Sequence, residues 1–64
     1  MKKKNNIQAY RIRKLLTQED LAERLGVSRS TVAAWETGRI YPQASRLMDL
    51  AKALGVTVEQ LFGA

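Results

Sequence analysis

Neither cysteine nor histidine occurs among the 64 residues of this chain. Disulfides, thiolate nucleophiles and zinc-finger ligand sets are thereby excluded, and the side chain that most often serves as a general base near neutral pH is missing. Proline occurs once, at Pro42, and no apolar run approaches the roughly 20 residues that span a bilayer. No apolar signal-like segment follows Lys2, Lys3 and Lys4, so the expectation is a cytoplasmic protein with no membrane partner. Acid is scarce, with 6 Asp and Glu against 11 Lys and Arg, a formal net charge of +5 and a pI of about 10.1. Such a chain is drawn to polyanions. Asp20, Glu23, Asp49 and Glu59 show no metal-ligand or acid/base pairing, and there is no glycine-rich phosphate loop. The sequence therefore predicts no catalytic residues, metal, cofactor or small-molecule ligand, and no enzyme activity.

What the chain does contain is helical periodicity punctuated by glycine. Leu21, Ala22 and Leu25 recur at three- and four-residue intervals after Thr17, a good cap residue, and Gly26 ends that segment. Ser28 caps a second segment, in which Val32 and Trp35 are the inward positions and Gly38 is the stop. Two helices meeting steeply across so short a turn leave little room for a large side chain, which is the reading of Ala22. The boundaries expected are about Ile7 to Leu15, Gln18 to Leu25, Arg29 to Thr37 and Gln43 to Leu54. A brief fifth helix follows a Thr57/Gln60 capping box, with Leu61 and Phe62 returning to the core. No strand is expected. Residues 1–6 read as a basic tail, 7–62 as one domain and 63–64 as its end.

The stretches TQEDLAERLGVSRSTVAAWETG and PQASRLMDLAKALGVTVEQLF resemble the Cro/CI and Xre-like family of helix-turn-helix regulators, over residues 7 to 62. The resemblance implies an all-α, compact five-helix, lambda-repressor-like domain whose second and third helices form the helix-turn-helix, with helix three entering the major groove. It departs from the family at Leu15, where a glycine or another turn-former commonly stands.

At about 100° per residue, helix three places Thr31, Val32 and Trp35 on one side and Arg29, Ser30, Ala33, Ala34 and Thr37 on the other. The second face carries no acid and mostly short side chains, which lets it approach base edges closely. An arginine suits the O6 and N7 acceptors of guanine, a serine suits donors or acceptors, and alanine methyls suit thymine methyls. The candidate base contacts are Ser28, Arg29, Ser30, Ala33 and Ala34. Candidate phosphate contacts are Thr17, which can instead only cap, together with Gln18, Thr37, Arg39 and Gln43. The family resemblance supplies Gln18, Thr37 and Arg39, and it pairs Arg11 with Glu36 as a structural ion pair. Tyr41 is either a phosphate donor or a packed ring, with packing favoured.

The function expected is a sequence-specific regulator of transcription, a repressor, binding double-stranded DNA as a homodimer at least when on DNA. The competing reading is an antitoxin-like protein-interaction module of the same fold, with Glu19, Asp20 and Glu23 turned toward a partner.

Overall fold

The computed structural model describes residues 5–63, which form five helices: α1 (Ile7–Arg13), α2 (Gln18–Leu25), α3 (Arg29–Thr37), α4 (Ala44–Leu54) and α5 (Val58–Phe62). There is no strand among the described residues. Helices this short are marginal on their own, because nucleation fixes several residues before hydrogen bonds repay it. They persist by sharing one core. Each helix contributes one side chain with no exposed surface: Ile7, Leu21, Val32, Leu50 and Leu61. Each such aliphatic residue is worth about 1.5 to 3 kcal/mol of burial. Ala22, Leu25, Trp35 and Leu54 complete the cluster, with Tyr10, Leu16, Val27, Val56 and Phe62 packed at its edges. Ala22 is buried at the α2–α3 junction, as its size requires.

The first four helices end in the same way. Gly26, Gly38 and Gly55 follow α2, α3 and α4 in the left-handed conformation, with φ of 69°, 80° and 69°. After each, the next amide donates back five residues: Val27 to Ala22 at 3.0 Å, Arg39 to Ala34 at 3.0 Å and Val56 to Ala51 at 3.0 Å. This closure satisfies carbonyls that a helix end otherwise leaves open. The end of α1 repeats the pattern without glycine. Leu16 donates to the Arg11 carbonyl at 3.1 Å, and the left-handed residue is Leu15, at φ 60° and 89% exposed. Helix one thus stops at Arg13, two residues earlier than its periodicity suggested, because Lys14 and Leu15 are spent on the turn.

Local caps fix the other helix starts. Thr17 Oγ1 accepts from the Asp20 amide at 2.9 Å, and Asp20 Oδ2 accepts from the Thr17 amide at 2.9 Å. Asp20 is therefore committed to its own helix. These bonds, with a smaller contribution from Arg24, hold its carboxyl below the usual carboxylate range. Thr57 and Gln60 form the same reciprocal pair at α5. Gln43 precedes α4 as its cap residue but makes no side-chain capping bond, so α4 starts at Ala44.

The domain begins before Ile7. Asn5 Nδ2 donates to the Trp35 carbonyl at 2.7 Å, and its Oδ1 accepts from the Ile7 amide at 3.0 Å. The Asn6 amide donates to the Leu61 carbonyl at 2.8 Å, and its side chain donates to Gln60 and Gly63. These asparagines lock the start of the first helix to the third and fifth. Lys2, Lys3 and Lys4 lie outside the described residues.

Two outcomes follow for stability. A non-glycine residue in the left-handed region costs about 1 to 3 kcal/mol, whereas glycine raises the entropy of the unfolded chain by about 0.4 to 1 kcal/mol. Leu15→Gly should therefore stabilise the domain by roughly 1 kcal/mol in urea unfolding, and a decrease would refute the strain. Because folding depresses the Asp20 carboxyl, its contribution is present above the ordinary carboxylate pKa and lost as pH falls through the folded value. Wild type should exceed Asp20→Asn in melting temperature at neutral pH, with the gap closing on acidification. A gap that is independent of pH would contradict this.

Candidate nucleic-acid interface

The site is assembled from the end of α1, the first turns of α2 and α3, and the outward face of α3. Beneath it lies a buried charge pair. Arg11 Nε donates to Glu36 Oε2 at 2.6 Å, and Nη2 lies 3.4 Å from Oε1. The two side chains are only 9% and 4% exposed. Arg11 Nη1 donates to the Leu16 carbonyl at 2.7 Å, and Gln18 Nε2 donates to Glu36 Oε1 at 3.0 Å. Each buried polar atom is thus partnered, the condition under which such a pair is tolerated in a core. Four segments meet there: α1, its exit turn, the start of α2 and the end of α3.

Above the pair is an open recess lined by Gln8, Arg11, Leu16, Thr17, Gln18, Glu19 and Arg29. The first turn of α2 borders it, and amides at a helix start favour an anion. Arg29, the first residue of α3, is exposed, and its Nη1 lies 3.4 Å from Gln18 Oε1. A second shallow recess is lined by Ala33, Ala34, Thr37 and Arg39. Among the described residues the one ion pair is Arg11–Glu36, so neither Arg29 nor Arg39 has an ion-pair partner there.

Several candidates lie at the surface, whether helical geometry or the family resemblance singled them out. Arg29 and Ser30 are exposed, Ala33 is half-buried, and Thr37, Arg39 and Gln43 are exposed. Ser28 is exposed, but its Oγ accepts from the Thr31 amide at 3.2 Å and lies 2.9 Å from Thr31 Oγ1 and 3.2 Å from Ser30 Oγ. Its first task is to cap α3. Thr17 likewise caps α2, and Thr37 Oγ1 donates to the Ala34 carbonyl at 3.2 Å.

Ala34 must be removed from the outward set. It is 2% exposed. The chain leaving α3 folds back over it, with the Arg39 and Ile40 amides both donating to its carbonyl, so its methyl floors the recess and does not project. Periodicity placed Ala34 on the outer face and had no means of locating the returning loop. Tyr41 divides its character: one ring face packs on Phe62, with centroids 4.9 Å apart, while the residue stays 66% exposed.

The sequence reading missed Gln8, which lines the first recess, and Arg46, whose Nη1 donates to the Leu25 carbonyl at 2.6 Å. Arg46 ties α4 to the end of α2 and so braces the helix-turn-helix from behind. No local signal marks it, since its acceptor lies 21 residues away. Lys14 is drawn elsewhere. Its ammonium lies against Gly55, at the negative end of α4.

The family profile described as Helix-turn-helix matches residues 7–61. The chain belongs to the Cro/CI and Xre-like helix-turn-helix family. It is 46% identical over 59 residues to an uncharacterised HTH-type transcriptional regulator of Methanocaldococcus jannaschii, covering 92% of this chain and 89% of that one. The HTH-type transcriptional activator BcrR of Enterococcus faecalis is 43% identical over 88% of this chain, which spans 28% of the activator. Among solved structures, the P22 c2 repressor in complex with a synthetic operator superposes with a TM-score of 0.86 at 29% identity, covering 91% of this chain and 88% of that one. The family member described here is a DNA-binding transcriptional regulator. No helix among its described residues is long and apolar enough to cross a membrane.

Removing one partner of the buried pair should expose its worth. Glu36→Ala leaves the Arg11 guanidinium buried without its counter-charge, a loss of about 3 to 5 kcal/mol. In a domain of this size that is comparable with the whole folding free energy, so circular dichroism should show a largely unfolded chain at 37 °C (about 310 K). A loss below about 1 kcal/mol would mean that the pair behaves as an exposed one.

Proposed function

We propose that this regulator is a repressor that inserts α3 into the major groove of double-stranded DNA, with Arg29, Ser30 and Ala33 facing base edges. The observation that carries the reading is the outer face of α3: free of acid, built of short side chains and headed by an exposed arginine with no ion-pair partner among the described residues. Gln18 and the first turn of α2 on one side, and Thr37 and Arg39 on the other, are the groups that hold the phosphate backbone and fix the register of the helix. Ser28 and Thr17 serve chiefly as caps, with their hydroxyls at the rim of the contact. Gln43, at the head of α4, reaches the backbone last. Such an arrangement occludes a promoter without any catalytic group, and the protein acts in the cytoplasm.

We further propose a homodimer on DNA, reading two half-sites about one helical turn apart. Ile40 and Tyr41, in the α3–α4 connection, and Met48, on α4, are between 52% and 66% exposed and supply apolar surface outside the set of α3 residues read as facing the bases. Selection of bound duplexes from a random pool should recover a site with two-fold symmetry. An asymmetric single site would restrict the protein to monomeric binding.

Base reading and backbone attraction separate by mutation. On the recovered site Arg29→Ala should cost about 1 to 3 kcal/mol and relax preference at one base pair. Arg39→Ala should weaken all duplexes alike and lower the slope of log affinity against log salt by about one. An unchanged ranking of duplexes in Arg29→Ala would remove that residue from base readout.

A further inference from the structure

We propose that the exit of α1 is a docking site for an acidic, apolar helix of a partner protein, with Ile12 and Leu15 as apolar anchors and Arg13 and Lys14 as flanking charges. Among the described residues the large apolar side chains left exposed are Ile40, Tyr41 and Met48 on one part of the surface, and Ile12 and Leu15 at the end of α1. Ile12 is 54% exposed and Leu15 is 89% exposed. The Leu15 amide donates to the Ile12 carbonyl at 2.9 Å, so both stand at the same helix end. Neither belongs to the core cluster or packs at its edges. What singles out Leu15 is its backbone. At φ 60° it occupies a conformation that glycine supplies at the ends of α2, α3 and α4. A leucine carries a conformational cost there that glycine does not, and its side chain returns nothing to the fold, because it faces solvent. Strain kept at a position whose side chain stands outside the core points to a contact beyond the domain.

Charge selects the occupant. No acid precedes Glu19 in the sequence, and Arg13 and Lys14 sit between the two apolar anchors. Both are exposed, the Arg13 guanidinium 5.3 Å from the centroid of the Tyr10 ring and the Lys14 ammonium against Gly55. Neither has an ion-pair partner among the described residues. A DNA backbone would meet these cations but give an exposed leucine nothing, and neither Ile12 nor Leu15 lines the recess bordered by the first turn of α2. A second copy is a poor match. About a two-fold axis, Arg13 and Lys14 would face their own like charges. The acidic residues of α2, Glu19, Asp20 and Glu23, bring no exposed apolar side chain with them, since Leu21, Ala22 and Leu25 are buried. A helix that presents aliphatic residues three and four positions apart, with Asp or Glu beside them, matches both the anchors and the charges. So small a surface suits a transient encounter rather than a permanent assembly.

Leu15→Gly gives a clean test, because it removes an anchor while relieving the backbone, so a lost contact is not a lost fold. A library of random peptides is selected on the immobilised chain after depletion on Leu15→Gly. The recovered peptides should be net acidic, with apolar residues at helical spacing. They should bind Leu15→Gly and Ile12→Gln roughly tenfold more weakly than wild type, the value of one buried apolar side chain. Arg29→Ala should bind them as wild type does, and in NMR spectra the peptides should shift the amide signals from Ile12 to Leu16. Recovery of no peptide that distinguishes wild type from Leu15→Gly, or of peptides that are basic, would overturn the proposal. Self-association that Leu15→Gly abolishes would overturn it in favour of a second copy, and displacement of the same signals by phosphatidylglycerol vesicles in favour of a lipid surface. Loss of duplex affinity in Leu15→Gly would make the residue a DNA contact instead. The peptide arms use no DNA, so they succeed or fail separately from the reading of α3.

Discussion

A guanidinium and a carboxylate buried together constrain this domain more than any single apolar contact. Arg11 and Glu36 lie 25 residues apart, and neither can be left alone in a core built from aliphatic side chains. Because a charge pair of this kind is stable only when its remaining donors and acceptors are met, the chain is obliged to bring the Leu16 carbonyl and the Gln18 amide to the same place. Those obligations define where α1 ends, where α2 starts and how far α3 may slide. Apolar packing tolerates small rotations and shifts, whereas bonds near 2.6 to 3.0 Å do not. The pair thus supplies register to a core whose aliphatic residues supply the driving force.

Short helices and tight exits follow from the same economy of size. A chain this small has little apolar surface to bury, so each helix is cut to the length that delivers one wholly buried residue and then turned back. The left-handed closures after α1, α2, α3 and α4 make each exit immediate, and the residue after the closure after α1, α2 and α4, Leu16, Val27 and Val56, packs at the edge of the core. Where the left-handed residue is glycine the turn is nearly free of strain, and at Leu15 it is not. The residue after the strained position gives its carbonyl to the buried Arg11 guanidinium.

For binding DNA, what matters is that rigid, fully partnered interior lying directly beneath a polar, acid-free outer face. Asn5 on the Trp35 carbonyl ties α3 to the head of α1, and Arg46 on the Leu25 carbonyl ties α4 to the end of α2, so both helices of the helix-turn-helix are held by their neighbours. A helix held in this way can present short side chains at constant distance to another surface.

Helix number, type and order, the caps at Thr17, Ser28 and Thr57, and the inward roles of Val32 and Trp35 are legible in the sequence, because periodicity and cap chemistry act between residues a few positions apart. The same local rules placed Arg29 and Ser30 outside. Tertiary structure alone decided the rest. Ala34 was buried where the chain returns from Gly38, Arg46 found an acceptor on another helix, Asn5 and Asn6 were drawn into the domain by carbonyls 30 and 54 to 57 residues away, and Gln18 found the Glu36 carboxylate on α3. Each is a hydrogen bond or a covering contact between segments distant in sequence. No spacing encodes such contacts, because the free energy that selects them exists only once the core has brought the partners together.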